Sequence, residues 1–479
     1  MTSSETVLHA GVARADITPP VGIAHGNWGA STHSRAEGID LPLWATVLAV
    51  RDISADVTAV IVECDLLGLS FAQAGAIRDA VSRTTGLPRD HIRISVSHTH
   101  SGPTINTGTW LQDGAELIEG YVASLAPKIA GAAWQALQSL QPARFAFGTG
   151  ESHIGINRRF RPPQHGRVLV GRNPDGFFDP TVRVLRVDTA GGAPLACLLH
   201  YATHPTIMAY ENRLITPDYP GPARRTVEAA TGATCLFLQG CAGNAGPRIG
   251  FTEGRTGALE DYHRAGRILG AEAAAVFMRL EPQPFDPVFT RVQESGAPLA
   301  MYHHAPRPAA PADAAVRVLT TTALLPVRPF PTREEAERRV SEAREALAAV
   351  RRRGGSDAEI QEATWRAKRT SQQTGHARLT DSRPEVEVEL HAIRIGPAAI
   401  VGAPMEVFGE LGHAVSQASP FTWTAVTGYT NGSAGYLPTA EAHAEGGYEV
   451  EMASPFAPEA ATRYVGAAST LLKQLHALP

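Results

Sequence analysis

Polar residues of catalytic type recur in this chain where a strand-like apolar run gives way to a loop. Asp65 closes TAVIVECD, His98 and His100 close IRISVSHTH, and His200 closes ACLLH with His204 just beyond. Gly240 to Gly246 follow TCLFLQ, Glu406 follows AIVGAP, and Tyr436 lies in the Gly-rich loop after TAVTGY. Ligands of α/β sheets bind beyond the carboxyl ends of the strands, so these residues mark one place in the fold. Imidazole with carboxylate is a zinc ligand set, and catalytic zinc keeps one position for water. The ligands would come from distant segments, with no compact HExxH pattern. Each residue also has a plain structural reading. A His-x-His pair is more often hydrogen-bonded in a core or on a surface, and His200 reads as a satisfied core histidine. Asp65 can cap its loop, Tyr436 can pack, and Glu406 in a helical first turn complements the dipole.

The elements that must position these residues alternate short apolar runs with helical stretches, which predicts an α/β architecture. Residues 45–52, 58–65 and 92–100 read as strands, and 69–84 and 115–140 as helices. On 92–100, the period of two places Ile92, Ile94, Val96, His98 and His100 on one face. Residues 399–404 read as a strand followed by helix 405–417. The expected fold is a mixed sheet core covered by helices, with a metal site at strand carboxyl ends. Residues 281–385 differ in composition and read as an insertion into a single catalytic domain spanning 1–479. Within it, Thr332-x-x-Glu335 and Ser356-x-x-Glu359 start two charged helices, giving a solvated helical hairpin at 332–372.

Composition excludes several classes. Net charge is −4, so no basic field points to nucleic acid. Hydrophobic residues make up 43%, too many for a disordered chain. No apolar run reaches ~18 residues, so no membrane span is expected. The start, MTSSETVLHAGVARADITPP, lacks a basic region followed by an apolar core. Cys64, Cys197, Cys235 and Cys241 form no CxxC and read as buried thiols in a reducing compartment. A cytoplasmic location is the expectation, and a homo-oligomer stays open. GCAGNAGPR lacks the Lys-Ser/Thr of a Walker loop, and no G-x-S-x-G elbow occurs.

The stretches ARADITPPVG, VECDLLGLS, ISVSHTHSGPT, GINRR, LLHYATHPTIM, FLQGCAGNAGP, GAPMEVFGE and TGYTNGSAGYLP together resemble the neutral/alkaline (non-lysosomal) ceramidase family, in its N-terminal catalytic domain. They span nearly the whole chain and match least across 281–385. The resemblance implies a zinc-dependent amidase that cleaves the N-acyl bond of ceramide. It assigns one zinc to His98, His204, Glu406 and Tyr436, and places His100 near the metal. Arg158 of INRR is then a substrate contact. The family loop G-[ND]-x-S-P maps onto Gly243-Asn244-Ala245-Gly246-Pro247, making Asn244 and Gly246 substrate-facing positions. Gly246 stands where that pattern has Ser, so a seryl nucleophile is absent. The immunoglobulin-like domain of longer members is also not expected here.

The expected mechanism is therefore metal-activated water attacking an amide carbonyl. Tyr436 would donate to the oxyanion, and His100, with an ordinary pKa of ~6.5, would shuttle the proton. Asp65 would orient a ligand imidazole. The substrate is a small-molecule or lipid acyl amide. Two other readings are a zinc hydrolase for a smaller polar substrate (an N-acyl amine, acylated amino sugar or ester) and a non-catalytic binding protein on the same fold. Trp28 and Trp110, in loops flanking the site, would stack on a ring or line an acyl groove, or simply pack.

Overall fold

Alternate residues of the central strands face two different cores. In strands Trp44–Asp52 and Val57–Cys64, Leu48, Val50, Ala59 and Ile61 point to one side, and Val47, Ala49, Val60 and Val62 to the other. Both sets are fully buried, which is why these strands are apolar nearly throughout. The computed structural model describes residues 8–28, 30–31, 33–105, 113–307 and 315–479. Trp110 lies outside them.

The two largest sheets among the described residues have eight and four strands. Ile61, Leu198 and Leu236 of the larger sheet meet Ile393, Ile400 and Ala425 of the smaller one in a shared apolar layer. Helices Phe71–Thr85 and Ile118–Gln138 cover one part of the large sheet's outer face through Ile77, Val81, Leu125 and Ile129. Helices Pro220–Thr231 and Leu259–Arg279 cover another through Val227, Leu269 and Phe277. Gly409–Gln417 and Ala460–Ala477 cover the small sheet through Leu411, Val415, Leu471 and Leu475. The architecture is thus helix, sheet, sheet, helix. Each buried Leu or Ile contributes about 1.5–3 kcal/mol of transfer free energy.

Parallel pairing aims the strand ends. Within these two sheets the parallel pairs are Val57–Cys64 with Ile92–Val96, Pro194–Tyr201 with Thr234–Gln239, and Ala398–Gly402 with Trp423–Thr427. The end of the strand Trp423–Thr427 and the residues just after it tie the others together, because Thr427 bridges to Gly240 and Thr430 to Ser95. All three pairs therefore deliver their carboxyl ends to one place.

Three element boundaries differ from expectation. The strand from Ile92 ends at Val96, and His98 adopts φ +65°. His98 and His100 thus leave the pleat instead of continuing its face. Glu406 does not open a helix; it sits in the two-residue strand Glu406–Val407, and the helix begins at Gly409. Residues 281–385 also contribute to the core: Val316–Pro326 pairs along its length with Glu385–Ile395 in the small sheet. Preceding it, Phe285–Glu294 and Pro298–Pro306 form an exposed ribbon. The capped helices occur as expected, although the second runs on to Thr380.

Candidate active site

His98, His204, Glu406 and Tyr436 converge. The loop after Val96 turns through the left-handed residue His98, whose Nδ1–H donates to the Leu67 carbonyl at 2.5 Å. His204 Nδ1–H donates to the carbonyls of Ala242 (2.6 Å) and Ala245 (3.2 Å). With both Nδ1 atoms protonated, each Nε2 carries a lone pair. Those lone pairs face a carboxylate: Glu406 Oε2 lies 3.3 Å from His98 Nε2 and 3.1 Å from His204 Nε2. Tyr436 Oη is 3.0 Å from His204 Nε2.

The backbone sets the last two residues. Strand Glu406–Val407 pairs in parallel with Tyr436–Leu437, and Glu406 is the register partner of Tyr436. Two side chains from distant segments are thereby held side by side.

The two imidazole acceptors lie 3.3 and 3.1 Å from the Glu406 acceptor oxygen, and acceptors so close repel unless a cation lies among them. Burial first, then Arg158, lowers His204 to about 3, so a proton on that imidazole does not fill the role near neutrality. A tetrahedral ion with bonds of about 2.0–2.1 Å separates its ligands by about 3.3 Å, matching the observed spacing. The donor set therefore fits a zinc-type cation. His100 extends it, since its ligand atom and those of His98 and His204 all lie within 4.8 Å of one another.

His100 stands beside this cluster, its ring 5.0 Å from that of His98 and 4.9 Å from that of Trp28. Neither ring nitrogen has a hydrogen-bond partner among the described residues. Burial and the neighbouring imidazoles hold it well below the ordinary 6.5. It is thus a neutral base, not the group titrating near 6.5 that the sequence suggested.

Arg158 braces the phenol. Its Nη2 donates to Tyr436 Oη at 3.0 Å and its Nε to Glu449 Oε1 at 2.9 Å. Burial raises the Tyr436 pKa well above 10, although Arg158 opposes the rise. The phenol enters the site protonated.

The remaining expectations divide. Asp65 does not orient an imidazole. Its carboxylate is fully buried, pairs twice with Arg224 (2.8 and 2.5 Å) and accepts from the Trp44 N–H. A buried carboxylate needs such a partner, and backbone carbonyls orient the histidines instead. Asn244 is also hydrogen-bonded to the first turn of the helix Gly409–Gln417: its Oδ1 accepts from the Gly409 N–H and its Nδ2 donates to Glu410. Gly246 pairs with Ile156 beside Arg158, and a Cβ there would lie 3.3 Å from Arg158 Cβ. His200 Nε2 meets the Val426 carbonyl at 2.9 Å, away from the cluster.

Tyr429 was not singled out. Its ring lies 4.2 Å from His98 and its hydroxyl 3.5 Å from Glu406 Oε2. The signal was local: a tyrosine in a Gly- and Asn-rich turn, here at φ +54°.

Known proteins resemble this chain in sequence and in fold. The family model described as neutral/alkaline non-lysosomal ceramidase, N-terminal, matches residues 8–245. The chain belongs to this family. Neutral ceramidase of Pseudomonas aeruginosa is 26% identical over 269 residues, a match covering 51% of this chain and 38% of that protein. The chain therefore matches well under half the length of that relative. The crystal structure of neutral ceramidase from Pseudomonas aeruginosa superposes with a TM-score of 0.67 at 21% identity, covering 99% of this chain and 76% of that one. A structure of ceramidase complexed with C2 gives 0.66 at 20%, covering 98% and 75%. The family's fold thus extends across this chain.

Proposed function

We propose that this protein is a zinc-dependent amidohydrolase that cleaves the N-acyl bond of a ceramide-like lipid amide. One observation carries the reading: two imidazole lone pairs and a carboxylate oxygen converge at 3.1–3.3 Å beside the Tyr436 hydroxyl. Membership of a ceramidase family supports the choice of an amide substrate. His98, His204, Glu406 and Tyr436 would hold the metal, which supplies Lewis acidity and lowers the pKa of water from ~15.7 toward ~7.

The chain's own groups handle the rest. Arg158 fixes the Tyr436 hydroxyl, leaving it poised beside the carbonyl oxygen that gains charge in the transition state. Neutral His100 accepts the proton of the attacking water and returns it to the departing amine nitrogen. The carbon–nitrogen bond breaks, giving a fatty acid and an amine. Gly246 offers no hydroxyl, so water is the nucleophile.

The test is a panel of short-chain ceramide, simple N-acyl amines and esters, assayed before and after chelation and again after zinc is restored. The expected result is amide turnover that vanishes with chelator and returns with zinc. Full turnover in the chelated protein would reject the reading.

A further inference from the structure

The helical hairpin does more than sit in solvent. In the helix Asp357–Thr380, Trp365, Lys368, Gln372 and His376 recur at helical spacing on one face. His376 Nε2 meets the Met452 carbonyl at 3.1 Å, and Gln372 hydrogen-bonds Tyr448, whose ring is 5.9 Å from that of Tyr436. Lys368 Nζ donates to the Trp28 carbonyl at 3.0 Å. The helix therefore spans two parts of the site's rim.

Trp28 is the part nearest the chemistry. One contact of its ring is His100 at 4.9 Å, and another is Phe251, edge-on at 5.7 Å. Its indole Nε1 is buried without an acceptor among the described residues. Both nitrogens of His100 share that condition. Buried polar atoms are almost always paired, so three unpaired ones at one spot point to a missing polar ligand. An indole N–H only donates, so its partner must be an acceptor oxygen.

We propose that Trp28 is a substrate-contacting residue whose indole N–H, held over His100 by Lys368, donates to an oxygen of the acyl-amide substrate. The proposal rests on the amidohydrolase reading and assigns that site a further contact. Lys368 is a positioning residue: it touches the backbone of Trp28, not the substrate. Burial lowers its ammonium to about 8, consistent with a place inside the rim.

The experiment uses the full-length zinc-loaded protein with short-chain ceramide. Trp28→Phe keeps a ring and removes the donor, and kcat/KM should fall about tenfold at unchanged zinc content, the size of one lost hydrogen bond. Lys368→Met should give a similar loss, mostly in KM, and Lys368→Arg should restore activity to within about twofold. Rescue by arginine separates positioning from general stability. An active wild type with an unaffected Trp28→Phe overturns the contact alone. A wild type that neither turns over nor binds any acyl amide, by calorimetry, overturns both the contact and the amidohydrolase reading.

Discussion

His200 and His204 lie in the same strand-and-loop segment, yet only one joins the cluster. The difference is a matter of partners: His200 Nε2 faces the Val426 carbonyl, while His204 Nε2 faces Glu406 and Tyr436. His200→Ala should keep full zinc content and lose about 2 kcal/mol of stability, from a buried contact and its hydrogen bond. Metal analysis together with urea unfolding checks both halves. Gly246→Ser needs only a few tenths of an ångström from Arg158, so its stability should stay within about 1 kcal/mol of wild type. Turnover should not depend on that serine; a wild type inert on every acyl substrate but rescued by Gly246→Ser would contradict water attack. At this scale much was legible. The strand-end residues and the resemblance together drew attention to His98, His204, Glu406 and Tyr436. The pairing of Asp65 with Arg224, and of Asn244 with the helix at Gly409, joins segments remote in sequence. Nothing local in either motif indicates a buried ion pair or a helix contact.

At the scale of elements, pairing between distant segments decides what the site contains. A two-residue strand has too little periodicity to be read from sequence, yet Glu406–Val407 against Tyr436–Leu437 sets the carboxylate beside the phenol. The strand ends at Val96, four residues short of the expected 100, for a related reason: alternation continues through His98 and His100, while the backbone turns left-handed at His98. The hairpin was legible as two capped helices, but its charged composition hid the contacts of Lys368, Gln372 and His376 with the rim. One ion pair anchors the strand end at Asp65 to the helix Pro220–Thr231. Arg224→Met should cost about 3–5 kcal/mol, because it strands a buried carboxylate. Adding Asp65→Asn should recover part of that loss. Equal stability of Arg224→Met and wild type, in urea melts, would mean the pair is not the anchor.

Across the whole molecule, the nearly unbroken apolar run at 58–65 is what a strand covered on both faces requires, but it does not say that one cover is a second sheet. Helix and sheet impose the same demand on a strand, so the layer of Leu48, Ile61, Ile393 and Ile400 was invisible before the structure. Among the described residues, no helix is long and apolar enough to cross a membrane. Burial keeps several histidines neutral in this core. It lowers His25 and His376 to about 4, and His200 and His391 to about 3. The unfolded chain takes up these protons near 6.5, whereas the folded protein resists until pH 4 or below. Their stabilisation is therefore complete above pH 6.5 and is lost as pH falls toward 4. Asp218, raised to about 6 by burial, acts in the opposite sense between pH 3.8 and 6, and burial raises Glu63 and Glu410 as well, but the lowered histidines outnumber these three carboxyls. The melting temperature should drop on acidification from pH 6.5 to 4. A flat profile over that range would contradict the burial of these histidines.

The most direct test of the central claim compares metal content in wild type, His98→Ala and Glu406→Gln after exhaustive dialysis against zinc-buffered solution. The account predicts about one zinc per chain in wild type and little in either variant, all three remaining folded by calorimetry. No zinc in wild type, or full retention in both variants, would contradict it.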